Sequence, residues 1–133
     1  MEPPAEARVV AAPALALAAA GEAPTSLGMK PLILGDALEG EARKVGKVMG
    51  GMALSSRSWG LPVGGPAVLL SGGETTVSIG PGPTGKGGRD TELLLSLALA
   101  LKARDGIWGI AGDSDGNDGV PRALSWHQTH SRA

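Results

Sequence analysis

Two short apolar runs with a helical pattern between them constrain the fold of this chain most. Residues 30–34 read KPLIL and residues 67–70 read AVLL, and a glycine closely follows each run. Short, unbroken apolar runs are typical of strands whose sheet is covered on both faces. Between the two runs, apolar residues recur at helical spacing, namely Leu38, Ala42, Val45, Met49 and Met52. Strand, helix, strand in this order predicts an α/β fold, a layered helix and sheet domain with a mostly parallel sheet.

The boundaries of the elements follow from local signals. Asp36 precedes Glu39 by three residues, which predicts a capping box and a helix start there, with an ion pair between Glu39 and Arg43. Gly72 and Gly73 predict the end of the second strand. We predict further helices over residues 14–27, broken near Pro24, and 89–104, and further strands over 75–79 and 107–111. Because the helix over 89–104 is apolar almost all round, we expect other elements to cover more than one of its sides.

Composition excludes several classes of function. The net charge is −1 and there is no basic stripe, so we expect no nucleic-acid partner. The chain has no cysteine, which excludes disulfides and thiolate metal sites and agrees with a cytoplasmic location. The apolar run over residues 9–20 is too short to span a bilayer, and acidic residues precede it where an export signal is positively charged, so we expect no membrane partner.

Two glycine turns with charged residues predict a site for an anionic ligand. One follows a strand and reads SGGETT, and the other, GGRDTE, leads into the last long helix. Open α/β sheets bind ligands beyond the carboxyl ends of their strands, and a helix N-terminus favours an anion. Arg89 suits an anion because its guanidinium is a planar fork. A surface ion pair between Arg89 and Glu92 is the open alternative.

The other motifs are less specific. Residues 80–86 have the spacing of a phosphate-binding P-loop, but Gly87 stands where a serine or threonine should hold magnesium. The same loop satisfies G-x-G-x-x-G, although Pro81 and Pro83 lack amide hydrogens, and we interpret it as a flexible connection. The acidic turn over residues 113–119 does not match a calcium loop, because Asp118 stands where that loop needs glycine. A magnesium site and a plain polar turn both stay open for it.

Four motifs in order resemble a known domain. They are Gly40-Glu41-Ala42-Arg43, Ser71-Gly72-Gly73-Glu74-Thr75-Thr76, Gly87-Gly88-Arg89-Asp90-Thr91-Glu92 and the acidic turn over residues 113–119. Together they resemble the MOFRL domain, the C-terminal part of bacterial-type glycerate 2-kinases, many of which carry the name hydroxypyruvate reductase. The resemblance covers residues 14–119. We expect residues 1–13 to be disordered or part of an N-terminal segment, and the atypical residues 120–133 to be disordered.

The resemblance implies an enzyme that transfers the γ-phosphoryl group of ATP, with Mg²⁺, to the 2-hydroxyl of D-glycerate. It also implies an N-terminal Rossmann-like domain on the other side of the active-site cleft. By this resemblance Arg89 is the catalytic residue, and Asp113 and Asp115 lie near the metal. Substrate or phosphate would contact Gly72, Gly73, Glu74, Gly87, Gly88, Asp90 and Glu92.

The chain also departs from the family pattern. Asp90 stands where the family usually has asparagine, and Ser114 replaces a threonine. The N-terminal domain has no counterpart here, and residues 120–133 replace the family's final strands. We therefore expect a sheet incomplete at the C-terminus and a fragment that is inactive alone. Two alternatives stay open: an NAD(P)H-dependent hydroxypyruvate reductase, and a non-catalytic docking module that uses the apolar helix over residues 93–101.

Overall fold

A computed structural model describes residues 12–83, 85, 87–102, 104–114 and 125–126. Its elements are α1 (Pro13–Ser26), β1 (Lys30–Glu41), α2 (Ala42–Trp59), β2 (Ala67–Thr76), α3 (Arg89–Leu101), β3 (Gly109–Ile110) and β4 (Ser125–Trp126). Helices and parallel strands alternate, so the predicted α/β class is confirmed. Of the helices in this described part, none has the length and apolar character needed to cross a membrane. The predictions for residues 1–11 and for most of 120–133 lie outside the described residues.

The strands β1 and β2 form a parallel pair that is longer than the apolar runs alone predict. Pairing extends from Lys30 opposite Ala67 to Glu41 opposite Thr76, with irregular register on both sides of Gly35. The predicted helix start at Asp36 is therefore wrong, since this residue lies inside β1. Gly35 adopts a φ of 141°, which lets the strand change register and continue instead of ending.

The glycine pair in β2 also lies within a strand. The prediction that Gly72 and Gly73 end this strand is wrong, and so is the separate strand over residues 75–79, because β2 continues to Thr76. Gly73 has a φ of 144°, and a Cβ atom placed on it would lie 2.7 Å from the carbonyl carbon of Leu38. Glycine is thus required here because the two strand backbones approach too closely for a side chain.

The helix α2 begins directly after β1, and Glu41 is its N-cap residue without a side-chain capping bond. Arg43 Nη2 lies 2.7 Å and Lys44 Nζ 3.3 Å from the Glu41 carboxylate. The predicted pair between Glu39 and Arg43 is replaced by this cluster because Glu39 lies in β1. Hydrogen bonds from Arg43, then Ser78 and Lys44, lower the pKa of Glu41 to about 2.

Two helices, α1 and α2, contact the β1–β2 sheet. On one face, Gly21 of α1 packs closely against Pro31, Ile33 and Leu70. α1 runs through Pro24, which is buried inside it, to Ser26. α2 also contacts both strands, and α3 packs on α2.

The helices α2 and α3 pack closely because α2 presents small residues to its neighbour. Gly46 and Gly50 of α2 are buried against the backbone of Leu93 and the side chain of Ala100, respectively. The core cluster consists of Leu94, Leu97 and Leu101, with Met49, Ala53, Leu54, Ile107 and Ala111 packed against it.

The expectation that α3 is covered on more than one side is not met within the described residues. The side chains of Leu95 and Leu99 are 60% and 70% exposed. The helix also ends at Leu101, three residues earlier than predicted, with Lys102 in the left-handed region at a φ of 49°. The strand predicted over residues 107–111 is reduced to Gly109–Ile110, which pairs antiparallel with Ser125–Trp126.

Candidate functional site

Arg89 joins three parts of the fold through its guanidinium. Nη1 lies 2.7 Å from Glu74 Oε1 and Nη2 lies 3.0 Å from Asp113 Oδ1. Arg89 is the first residue of α3, Glu74 lies near the carboxyl end of β2, and Asp113 follows β3. Residues separated along the chain are thus brought to one edge of the fold, where sequence reasoning expected a ligand site.

The three side chains differ in exposure. The side chain of Arg89 is 34% exposed, that of Asp113 is 20% exposed and that of Glu74 is 76% exposed. Hydrogen bonds with Asp113, and after it with Glu74, raise the pKa of the Arg89 guanidinium above its ordinary value. Arg89 is therefore a permanent cation with a fixed orientation, held by one sheltered and one exposed carboxylate. The alternative partner considered for it, Glu92, is not the one that it binds.

Asp113 carries one carboxylate oxygen with no partner in the described structure. Its Oδ1 accepts the hydrogen bond from Arg89, while Oδ2 is buried and accepts none from the described residues. A buried carboxylate oxygen without a partner is costly, so such an atom in a cleft suggests a ligand or ion. Asp115, the second residue predicted near a metal, lies outside the described residues, and the described part of the chain holds no cluster of three possible metal ligands.

The second glycine turn leads into α3 as predicted. Gly88 is the N-cap residue in an extended conformation, and no side chain caps the first turn. Asp90 and Glu92 lie in that turn and are partly buried, and the Glu92 amide donates to the Gly88 carbonyl at 3.0 Å. The first amides of a helix have no partner within the helix, so this end offers donors to an anion.

The other glycine pair, Gly72 and Gly73, lies close to neighbouring atoms of the fold. Gly72 is partly buried, and a Cβ atom on it would lie 3.4 Å from Leu17 Cδ1 and 3.5 Å from the Asp36 Cα atom. Gly73 lies against Leu38, as described above. Gly73 therefore has a structural reason for its presence that does not involve a ligand, whereas a Cβ atom on Gly72 would make ordinary van der Waals contacts.

A cavity of about 940 Å³ begins at this edge and continues along β2. Glu74, Arg89, Asp90 and Asp113 line its polar end. The remainder is lined mostly by apolar side chains, among them Met49, Val68, Leu70, Leu97 and Ile107. The predicted site residues that line the cavity are thus gathered at one end of a groove, while Gly87, Gly88 and Glu92 do not line it.

The ion pairs within the site are the feature that sequence reasoning missed. Glu74, Arg89 and Asp113 were each expected to face a ligand, and the structure shows that they bind one another. The sequence did carry a signal for these ion pairs. Glu74 lies near the end of β2 and Asp113 follows β3, and Arg89 begins the helix that lies between these two strands in the sequence.

Comparisons with known proteins show what this chain is similar to. The model of the MOFRL family matches residues 67–125, which include the two glycine turns and Asp113. A protein of Agrobacterium vitis named "Putative hydroxypyruvate reductase" is 64% identical over 118 residues, which cover 89% of this chain and 27% of that protein. The glycerate 2-kinase of Pyrococcus horikoshii is 40% identical over 93 residues, covering 70% of this chain and 21% of that protein.

A solved structure of a glycerate kinase also resembles this chain. The crystal structure of glycerate kinase from Thermotoga maritima has a TM-score of 0.71 and 34% identity, covering 77% of this chain and 24% of the solved one. The chain therefore spans about a quarter of the length of the proteins that it resembles.

Proposed function

Since this chain belongs to the MOFRL family, we propose that it forms the Arg89 side of an active site that phosphorylates D-glycerate at its 2-hydroxyl, with ATP as the phosphoryl donor. Relatives in Pyrococcus horikoshii and Thermotoga maritima carry the names glycerate 2-kinase and D-glycerate 2-kinase. The single observation that carries the proposal is the fixed guanidinium of Arg89 between Glu74 and Asp113.

Arg89 supports this chemistry because phosphoryl transfer depends on positioning and on neutralising charge. Its guanidinium has five N–H donors, and its contacts with the two carboxylates use one nitrogen each. The remaining donors suit the carboxylate of glycerate or an oxygen of the transferred phosphoryl group. The uncapped start of α3 adds amide donors next to the same cation.

The residues present fit a magnesium ion held mainly by a nucleotide. Mg²⁺ is usually bound by one or two carboxylates together with phosphate oxygens and water. Asp113 offers its buried Oδ2, and Asp115 is the second candidate by sequence. The ion would supply neutralisation of phosphate charge, while Arg89 would orient Asp113 through Oδ1.

The reductase alternative has less support from the glycine loop. In a dinucleotide-binding fingerprint, glycines allow a tight turn and close packing of helix on strand. A Cβ atom on Gly80, Gly82 or Gly85 would meet no described atom within 4 Å. Gly82 adopts a φ of 147°, which favours glycine, but nothing in the described structure requires glycine at Gly80 or Gly85, and we favour the kinase.

Ligand binding by the chain tests the proposal directly. We expect D-glycerate and inorganic phosphate to shift the NMR signals of residues 72–74 and 87–90 in a saturable way. Arg89→Lys keeps the charge but loses the planar fork, so we expect at least a tenfold loss in affinity. Arg43→Lys is the matched control, because Arg43 binds only a carboxylate on the surface. Equal affinity of the Arg89→Lys variant, or no saturable binding at all, would overturn the proposal.

Turnover assays separate the alternatives. We expect the 133-residue chain alone neither to phosphorylate D-glycerate nor to oxidise NAD(P)H with hydroxypyruvate, because its relatives are about three times as long. ATP-dependent turnover would contradict the expected inactivity. Oxidation of NAD(P)H that requires the chain would favour the reductase.

A further inference from the structure

The polar end of the cavity holds more acids than bases. Among the described residues that line this end, Glu74, Asp90 and Asp113 are acidic and Arg89 is the basic one. Two of these carboxylates bind Arg89, so their negative charge exceeds the positive charge of the guanidinium. An anion that approaches this end is therefore repelled unless one carboxylate leaves the cation.

The two carboxylates on Arg89 are not held equally. The Asp113 side chain is 20% exposed, and its Oδ1 accepts from Nη2 at 3.0 Å. The Glu74 side chain is 76% exposed, and its Oε1 accepts from Nη1 at 2.7 Å. The contact at Glu74 is the shorter one, but water competes for an exposed ion pair, whereas a sheltered charge that loses its partner is strongly destabilising. Glu74 is thus the carboxylate that Arg89 can release.

Release requires movement of the Glu74 side chain alone. The backbone of Glu74 pairs with Glu39 of β1, and the preceding Gly73 lies directly against the β1 backbone. The strand therefore stays in place while the side chain rotates between its staggered conformations in solvent. Because Asp113 still holds Nη2, the guanidinium of Arg89 keeps its orientation when Glu74 leaves Nη1.

We propose that Glu74 is an internal ligand of Arg89 that an oxyanion of the substrate displaces, an inference that rests on the proposed function. In the free protein the guanidinium lies between two carboxylates. On binding, a carboxylate or phosphoryl oxygen of the substrate replaces Glu74 Oε1 at Nη1, while Asp113 stays on Nη2. Glu74 therefore opposes binding instead of contributing a contact. It also selects against neutral molecules, which gain too little from Arg89 to displace it.

Binding measurements on Glu74→Gln test the displacement. Glutamine keeps the size of the side chain but has no charge, so it competes less for Arg89. We titrate D-glycerate and inorganic phosphate separately by NMR and expect at least one of them to bind Glu74→Gln about tenfold more tightly than the natural chain. Glu39→Gln is the matched control, because Glu39 lies opposite Glu74 on β1 and its loss removes the same charge without releasing Arg89. The affinity of this control should change by less than about twofold.

Urea unfolding without any ligand supplies a second readout. We expect Glu74→Gln to move the midpoint by less than about 0.2 M and Asp113→Asn to lower it by about 0.5 M or more, because only the second substitution breaks a sheltered pair. Equal losses in the two variants overturn the proposal, since Glu74 would then be held as firmly as Asp113.

The binding results separate this inference from the proposed function. Saturable binding by the natural chain with no gain in Glu74→Gln overturns the displacement and leaves the proposed function intact. A gain of equal size in Glu39→Gln also overturns it, because the effect would then come from net charge and not from release of Arg89. An absence of saturable binding in every variant overturns the displacement and the proposed function together.

Discussion

The contact between α2 and α3 gives the sharpest stability prediction, because it places glycine against backbone. A Cβ atom on Gly46 would lie 3.1 Å from both the Leu93 carbonyl carbon and the Leu97 nitrogen, and nearer still to the Leu93 oxygen. Backbone atoms cannot rotate away, so the variant Gly46→Ala must push the two helices apart. Overpacking of this kind costs about 1–3 kcal/mol. The better helix propensity of alanine returns about 1 kcal/mol.

Because the clash is with backbone, we take the overpacking cost at the upper end of its range, about 3 kcal/mol. Subtracting about 1 kcal/mol for helix propensity, we expect Gly46→Ala to lower the free energy of unfolding by about 2 kcal/mol. With a urea m-value of about 2 kcal/mol/M, the unfolding midpoint falls by about 1 M, measured by circular dichroism. Gly51→Ala is the matched control, because a Cβ atom there meets nothing within 4 Å. Its midpoint should rise by about 0.5 M through helix propensity alone. The packing argument fails if Gly46→Ala is as stable as Gly51→Ala.

A compensating pair extends the same test along the interface. A Cβ atom on Gly50 would lie 2.7 Å from the Cβ atom of Ala100. We expect Gly50→Ala to be destabilising alone and to regain part of the loss when Ala100→Gly removes the opposing methyl group. Additive effects of the two substitutions would show that the contact is not direct.

Two further predictions concern acid stability and the core. Glu41 has a pKa lowered to about 2, so its contribution to stability is full above its ordinary pKa of 4.5 and is lost as the pH falls from there towards 2. The difference in unfolding free energy between the natural chain and Glu41→Gln should shrink over that window, and a difference that does not change with pH contradicts the ion cluster. Leu101 is fully buried, so Leu101→Ala should cost about 2–5 kcal/mol in thermal or urea unfolding. Leu99→Ala, at a side chain 70% exposed, should change stability by less than about 0.5 kcal/mol, and equal losses for the two would refute the assigned core.

Periodicity and apolar runs were sufficient to predict the layers of the fold but not the ends of its strands. The first strand, the helix after it and the start of α3 at Arg89 were predicted from local pattern. Glycine was misinterpreted, because at Gly35 and Gly73 it permits irregular register and close strand approach inside a ladder. Only the partner strand reveals that need, so sequence spacing alone cannot distinguish such a glycine from a strand end.

The sequence predicted where the charged residues of the candidate site lie, but it did not predict that they form ion pairs with one another. Glu74, Arg89 and Asp113, which were expected near the carboxyl ends of strands, lie together at one edge of the fold, and their role in a site stays a prediction. Their mutual ion pairs depend on the angle at which α3 leaves the glycine turn, which long-range packing on α2 determines. A local pattern carries no information about that angle.

The glycine contact between α2 and α3 also has a mechanical consequence. Where backbone lies directly on backbone, few side-chain torsions are available to take up a displacement. Arg89 is the first residue of α3, so a displacement of Arg89 that moves this helix would also move α2 through the contacts at Gly46 and Gly50. The two helices would then move together as one rigid body, with Arg89 at one end of α3.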